Sequence, residues 1–218
     1  MRWHTLYRSN EISTTDTDTL SLLQTLGIRT LCDIRDDKQK QKVPIDMSFS
    51  ANAKTIAAPI SVSVLIRSAL SGEKLTGTSA RKILADIYRS LVLDHANAYK
   101  LFFNSLSDPN NFPLTFYCVA GKDRTGLAAA LLLTALGASR DTIYDDYLLT
   151  NTYWEIPTDV LREESDEVRE AVFTADTQYL EAAFAAMSEH YGSAESFVQT
   201  ILGLNPERRE YLLAQLVE

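Results

Sequence analysis

The sequence predicts an α/β protein: a small, mostly parallel four-stranded sheet flanked by helices, with a helical C-terminal half. Three observations predict it. Four short apolar runs lie in the first half of the chain, separated by helical patterns, and strands that alternate with helices build parallel sheets. Beyond Cys118 only helical periodicity remains. The fourth run feeds a glycine-bearing turn and then an apolar helix, "YCVAGKDRTGLAAALLL", and open sheets bind ligands where strands end in such turns.

The elements follow in order. Residues 5–7 form the first apolar run, and a helix from about Asp16 ends at Gly27, a residue suited to the left-handed cap. "LGI" then leads into the second strand, 30–34, and the third is 55–60. A helical zone spans about 78–106. Its Ile83, Leu84, Ile87, Tyr88 and Leu91 keep the three-four spacing of one helix face, and "SDPNNFP" breaks it. The fourth strand, 114–118, precedes a helix over 126–136 that stops at Gly137. Ser139 is a fitting N-cap for the helix in "SRDTIYDDYLLTN". "TDVLREESDEVREAVF" reads as an acidic amphipathic helix with a solvated face at 163–170, and helices at about 176–191, 193–202 and 206–217 close the chain. No repeat or linker divides residues 1–218, so a single domain is expected; the alternative is a separate helical C-terminal domain.

Composition narrows the function. The 218 residues are 45% hydrophobic and 23% charged, an ordinary globular balance. The longest apolar run, 127–136, is too short for a membrane span and reads as a buried helix. The first residues lack the apolar centre of a leader peptide, so a cytoplasmic location is expected, with export by a leaderless route left open. A net charge of −8 argues against nucleic acid as partner. It does not argue against phosphate monoesters, which a local nest of donors can hold. With only two cysteines, Cys32 and Cys118, a disulfide framework is not expected and a reducing compartment fits. Cys32, inside "TLCDIR", reads as an inert core thiol; pairing it with Cys118 would need close Cα atoms. His4, His95 and His190 form no ligand spacing with Asp or Glu, so neither a metal nor any other cofactor is expected.

The chemistry concentrates in residues 118–126. Gly121 and Gly126 permit a tight backbone, and a helix starts just after, so free N–H groups and the positive end of its dipole face the turn. The N–H groups of Val119, Ala120, Gly121, Lys122, Asp123 and Arg124 can point inward as an anion nest. Arg124 can grip two phosphate oxygens with its planar fork. The same field favours a Cys118 thiolate, since cysteines in such places fall from a pKa of about 8.5 to roughly 3.5–7.5. A thiolate beneath a bound phosphate is a nucleophile, and Thr125 is placed to donate to its sulfur. A buried cysteine beside a solvated turn would explain the thiol but not the glycines, the helix and the Cys–Arg spacing. A Walker-type loop is excluded, because Asp123 rather than Ser or Thr follows Lys122.

These residues carry a resemblance. "CVAGKDRTG" resembles the C-x5-R-[ST] signature loop of the Cys-based phosphatases, and its Gly-Lys-Asp-Arg-Thr-Gly core is closest to the bacterial family typified by mycobacterial protein tyrosine phosphatase B. "LYRSNEIS" and "LGIRTLCDIRDDKQ" resemble that family's Arg-Ser and Asp-Leu-Arg motifs. "DDYLLTN" resembles its Asp-Tyr-x-x-Ser-Asn segment, and "YLEAAFAAMSEHYGS" its C-terminal helix. The match is weakest over about 62–112, where the family carries a variable helical lid.

The resemblance implies a phosphatase acting on phosphotyrosine, with phosphoserine, phosphothreonine and phosphoinositides as further substrates, and phosphate or vanadate as site ligands. It implies Cys118 as nucleophile, through a phosphocysteine intermediate, and Arg124 as clamp. The general acid maps to Asp123, whose other reading is a carboxylate that orients loop donors. Lys122 is either a solvated charge at the rim or a reader of a second phosphate. Arg8, Ser9, Asp33, Arg35, Tyr147 and Asn151 match motif positions and are expected to brace the loop. Asp145 and Asp146 are remote candidates for the acid and otherwise lie on a helix surface. Two departures stand out. An Asn-Phe-Arg-Asp element usually precedes the Arg-Ser motif, whereas here Met1 stands just ahead of it, and Tyr117 replaces the usual histidine before the nucleophile. They motivate a second reading, a phosphate-binding module with little turnover. A third is another thiolate enzyme such as a sulfurtransferase.

Overall fold

The computed structural model describes residues 1–12, 17–45, 53–62, 75–156 and 158–218. Its sheet has four strands, β1 (Leu6–Ser9), β2 (Thr30–Asp33), β3 (Lys54–Ala57) and β4 (Leu114–Tyr117), in the order β1-β4-β2-β3. The sheet is parallel throughout rather than mostly so. Leu6 and Thr30 both lie opposite Leu114, and Ser9 and Asp33 both lie opposite Tyr117. The C-terminal ends of the strands are therefore level, and the segments that leave them meet along one edge. The central strands β2 and β4 are buried along their whole length, as strands covered on both faces must be.

The described helices are α1 (Thr17–Thr25), α2 (Asp37–Lys42), α3 (Gly77–Leu93), α4 (Ala96–Ser105), α5 (Asp123–Leu136), α6 (Arg140–Leu148), α7 (Thr150–Tyr153), α8 (Asp166–Phe173), α9 (Thr177–Tyr191), α10 (Ala194–Thr200) and α11 (Pro206–Leu216). The helical zone at 78–106 is two helices, parted at Asp94 and His95; residues 63–74 of the expected lid lie outside the described residues. The acidic stretch is helical only from Asp166, where Ser165 caps the chain by accepting from Val168 N. Ser139 caps α6 as expected.

Burial follows the apolar pattern. α5 is buried nearly all round and stops at Gly137, whose φ of 84° suits a glycine. Around it one cluster joins Cys32 and Phe116 of the sheet to Tyr88, Phe102, Leu131, Tyr179 and Phe197 of the helices. A smaller cluster on the other sheet face places Tyr117 with Ile12, Leu23, Ile28, Leu31 and Ala53. A third, Ala80 with Val168 and Ala171, seats α8 on the start of α3.

Candidate active site

Cys118 is the first residue past β4, the strand between β1 and β2, and its side chain is almost wholly enclosed at 2% exposure. The turn that follows is held from the β1 side. Gly121 has φ 67°, and a Cβ there would come within 2.7 Å of the Ser9 carbonyl oxygen, so close approach and backbone angle both demand glycine. At Gly126 a Cβ would lie 2.8 Å from the Tyr147 ring. Arg8 donates to the Gly121 carbonyl at 3.4 Å, to Asp146 Oδ2 at 2.6 Å and to Thr150, tying β1 to the turn and to α6 and α7. Glu11 N–H donates to the Val119 carbonyl at 2.9 Å.

The N–H groups of residues 119–124 are left over from these bonds. Among the described residues no carbonyl or side chain accepts from any of them. Their neighbour α5 begins at Asp123, so its first N–H groups and dipole add positive potential beside the same turn. Arg124 is 5% exposed. Its Nη1 donates to Gln39 Oε1 at 2.7 Å and to the Ile60 carbonyl at 3.1 Å. Among the described residues both partners sit on Nη1, which leaves the Nε–Nη2 edge for a two-pronged contact.

Asp123 is partly exposed. Its Oδ1 accepts from the Tyr88 hydroxyl at 2.9 Å and lies 3.4 Å from Lys122 Nζ. Tyr88 shares a 2.6 Å hydrogen bond with the Tyr147 hydroxyl. Burial pushes both phenols well up, with the Asp123 charge second, so they act as neutral donors. Tyr88 was legible only as an apolar face position of α3; its hydroxyl gave no signal that it would reach the turn.

Three expectations need correction. Lys122 is not a rim charge and does not face solvent for a second phosphate. It is 1% exposed, and its Nζ donates to the carbonyls of Val172 and Thr174, because a buried ammonium needs acceptors. Thr125 does not bond the sulfur here: its Oγ1 is buried and without a hydrogen-bond partner among the described residues. Asp146 is not a free acid, since its carboxylate pairs with Arg8.

Of the residues expected to brace the loop, Arg8 and Tyr147 meet it directly, at Gly121 and Gly126; among the described residues, the side-chain hydrogen bonds of the others lie elsewhere. Arg35, fully buried, donates to both Asp33 oxygens, to Glu11 at 2.6 Å and to the Val43 carbonyl, and its guanidinium lies 5.3 Å from the Tyr117 ring centre. Asn151 brackets Ala175, donating to its carbonyl at 2.9 Å and accepting its N–H at 2.7 Å. Cys32 and Cys118 are both free thiols. Burial, then the Asp33 charge, pushes the Cys32 thiol up to about 12, which keeps it protonated and inert.

A parallel sheet that delivers a cysteine and an arginine to one amide-lined turn is the framework of the Cys-based phosphatases, and fold and loop together assign the chain to that class. The comparisons narrow it: the chain belongs to the tyrosine phosphatase family, whose model matches residues 1–218. A protein of Cupriavidus necator, provisionally named a tyrosine-protein phosphatase, is 29% identical over 205 residues, covering 90% of this chain and 74% of its own. The triple specificity protein phosphatase PtpB of Mycobacterium tuberculosis is 25% identical over 232 residues, covering 89% and 84%. Among solved structures, P. aeruginosa TpbA aligns over 84% of this chain and 86% of its own, at 17% identity and a TM-score of 0.38, too distant to inform the site. No helix among the described residues is long and apolar enough to cross a membrane.

Proposed function

We propose that the protein hydrolyses phosphate monoesters without a metal, phosphotyrosine first among them, through a phosphocysteine. One observation carries this reading: among the described residues, the N–H groups of residues 119–124 have no acceptor and Arg124 has its partners on Nη1 alone, all in the turn that begins at Cys118. A dianionic phosphate fills such a nest, and its three equatorial oxygens carry the charge that the donors stabilise in the transition state. Cys118 Sγ forms a bond to phosphorus while the bond to the leaving oxygen breaks. Asp123 gives that oxygen a proton. Water then attacks the phosphocysteine, Asp123 takes the water's proton, and inorganic phosphate leaves with the thiolate restored. Tyr88 and Lys122 both meet Asp123 at Oδ1, so in this reading the transfer is assigned to Oδ2.

Phosphoserine, phosphothreonine and phosphoinositides are further substrates in this reading, and a relative named for triple specificity fits a range wider than phosphotyrosine. The test is turnover of p-nitrophenyl phosphate in excess chelator, with inhibition by vanadate. Cys118→Ser is expected to abolish turnover and keep phosphate binding, since the hydroxyl is a far weaker nucleophile and the donors remain. Residual turnover in the serine variant above contaminant level would falsify the thiolate route.

A further inference from the structure

We propose that Tyr88 is a positioning residue for Asp123: its hydroxyl holds Oδ1 and so turns Oδ2 toward the leaving oxygen of the substrate. The inference rests on the reading of Asp123 as the general acid. Tyr88 lies 35 positions before Asp123 and on another helix, α3, yet its hydroxyl donates to Asp123 Oδ1 at 2.9 Å. Behind it the Tyr147 hydroxyl of α6 lies at 2.6 Å. An ionised carboxylate only accepts, so the Tyr88 proton points to Asp123 and the Tyr147 proton points to Tyr88. The three groups form one directed chain, in which each donor polarises the next. Its far end returns to the helix where it starts. The Tyr147 ring packs on α5 at Gly126, where an added Cβ would lie 2.8 Å away.

Packing alone does not account for this hydroxyl. Tyr88 is wholly buried, edge-on to Tyr147 with ring centres 6.3 Å apart, and 5.7 Å from the Tyr179 ring. Phenylalanine would fill the same place, and a buried hydroxyl costs stability unless it is bonded. Here the hydroxyl reaches from the core to the one carboxylate of the Cys118–Arg124 turn. The Asp123 side chain is 27% exposed. A carboxyl in that setting rotates readily about its own bond, and only one of its oxygens can face the leaving group. A donor on Oδ1 removes that freedom in both protonation states, since the oxygen without the proton still accepts. Lys122 Nζ, 3.4 Å from the same oxygen, disfavours a proton there and adds to the preference.

The experiment measures kcat/KM on phosphotyrosine and on p-nitrophenyl phosphate, with thermal melting and inhibition by inorganic phosphate alongside. The proteins are wild type, Tyr88→Phe, Tyr179→Phe, Asp123→Asn and the double variant of Tyr88→Phe with Asp123→Asn. The p-nitrophenyl leaving group needs little protonation, whereas the tyrosine phenol, with a pKa of about 10, needs it. Tyr88→Phe is expected to lose about tenfold on phosphotyrosine, the size of one hydrogen bond to a charged group. It should lose less than about threefold on p-nitrophenyl phosphate and keep the phosphate inhibition constant, because the N–H nest is untouched. Added to Asp123→Asn it should cost nothing further on phosphotyrosine, since the acid it positions is gone. Tyr179→Phe removes a buried hydroxyl that donates to the Ala171 carbonyl, so it should lower the melting temperature yet keep the ratio of the two substrates. Equal losses on both substrates in Tyr88→Phe, full additivity with Asp123→Asn, or the same shift of ratio in Tyr179→Phe would each leave Tyr88 a core residue only and sink the proposal. Should Tyr88→Phe fail to fold, Tyr147→Phe decides, because it takes away the donor behind Tyr88: a loss confined to phosphotyrosine supports the chain, and an unchanged ratio overturns it. Asp123→Asn separates the two levels. Equal losses there overturn the acid and this inference together, whereas a phosphotyrosine-selective loss there beside an unselective Tyr88→Phe overturns the inference alone.

Discussion

The Tyr117 side chain is fully enclosed, and its hydroxyl is buried without a hydrogen-bond partner among the described residues. Burial, then the Asp33 carboxylate, pushes its phenol far above the usual range, so the ring is neutral. The cation beside it is Arg35, already committed to Asp33 and Glu11. In the proposed chemistry, support for the Cys118 thiolate therefore comes from the loop amides, the start of α5 and Arg124, not from the residue before it. Tyr117→Phe should melt no lower than wild type, because it removes an unpaired buried polar atom at nearly constant shape; a clear drop would reveal a contact on the hydroxyl. At Asp123 the distinction between acid and orienting carboxylate is kinetic. Asp123→Asn should slow alkyl phosphates more than aryl phosphates, since a good leaving oxygen needs little protonation. Equal losses on both would reduce Asp123 to orienting Tyr88 and Lys122.

At the level of elements, Lys122 joins the Cys118–Arg124 turn to the end of α8 and the residue after it, where Asn151 fixes the next residue, Ala175. Lys122→Met keeps the apolar stem and strips two part-buried carbonyls of their donor. It should cost about 2–4 kcal/mol in urea unfolding. It should also lower kcat/KM in parallel on phosphotyrosine and inositol polyphosphate substrates; a selective loss on the latter would restore Lys122 as a second-phosphate reader. This lysine shows where the sequence stops being readable. Its acceptors lie fifty residues downstream and are backbone carbonyls, which no side-chain pattern marks. Gln39 was obscure for the same reason, its contact with Arg124 crossing from one strand end to another. The elements themselves were legible, because apolar runs and helical spacing are local: all four strands were found, with ends displaced by a few residues. The Cys118–Arg124 turn was legible too, since its glycines, thiol and arginine are contiguous.

For the molecule as a whole, one source of pH dependence is His95, half-buried at the start of α4, where it makes no side-chain cap bond. Burial holds its imidazole below the ordinary value of about 6.5; Asp94 opposes this and the Arg124 charge adds to it. The folded state thus binds the proton less readily than the unfolded state. Stability from this group is complete above about pH 6.5 and declines as pH falls through that value. Urea midpoints at pH 7.5 and 5.5 should show the decline, and His95→Gln should reduce it. An identical pH dependence in the variant would place the titration elsewhere.

The strand order also governs how this chain comes off the ribosome. Because β4 lies between β1 and β2, Leu6 waits for Leu114 before it has a neighbour, and a nascent chain halted at residue 113 holds β1 and the β2–β3 pair as unjoined pieces. Closing so long a span is the slow kind of event in folding. The strand that closes it is also the one that ends at Cys118, so the sheet and the cysteine that follows it are joined in one event. The loop itself is finished later, when Arg8 meets Asp146 and Lys122 meets the Val172 carbonyl.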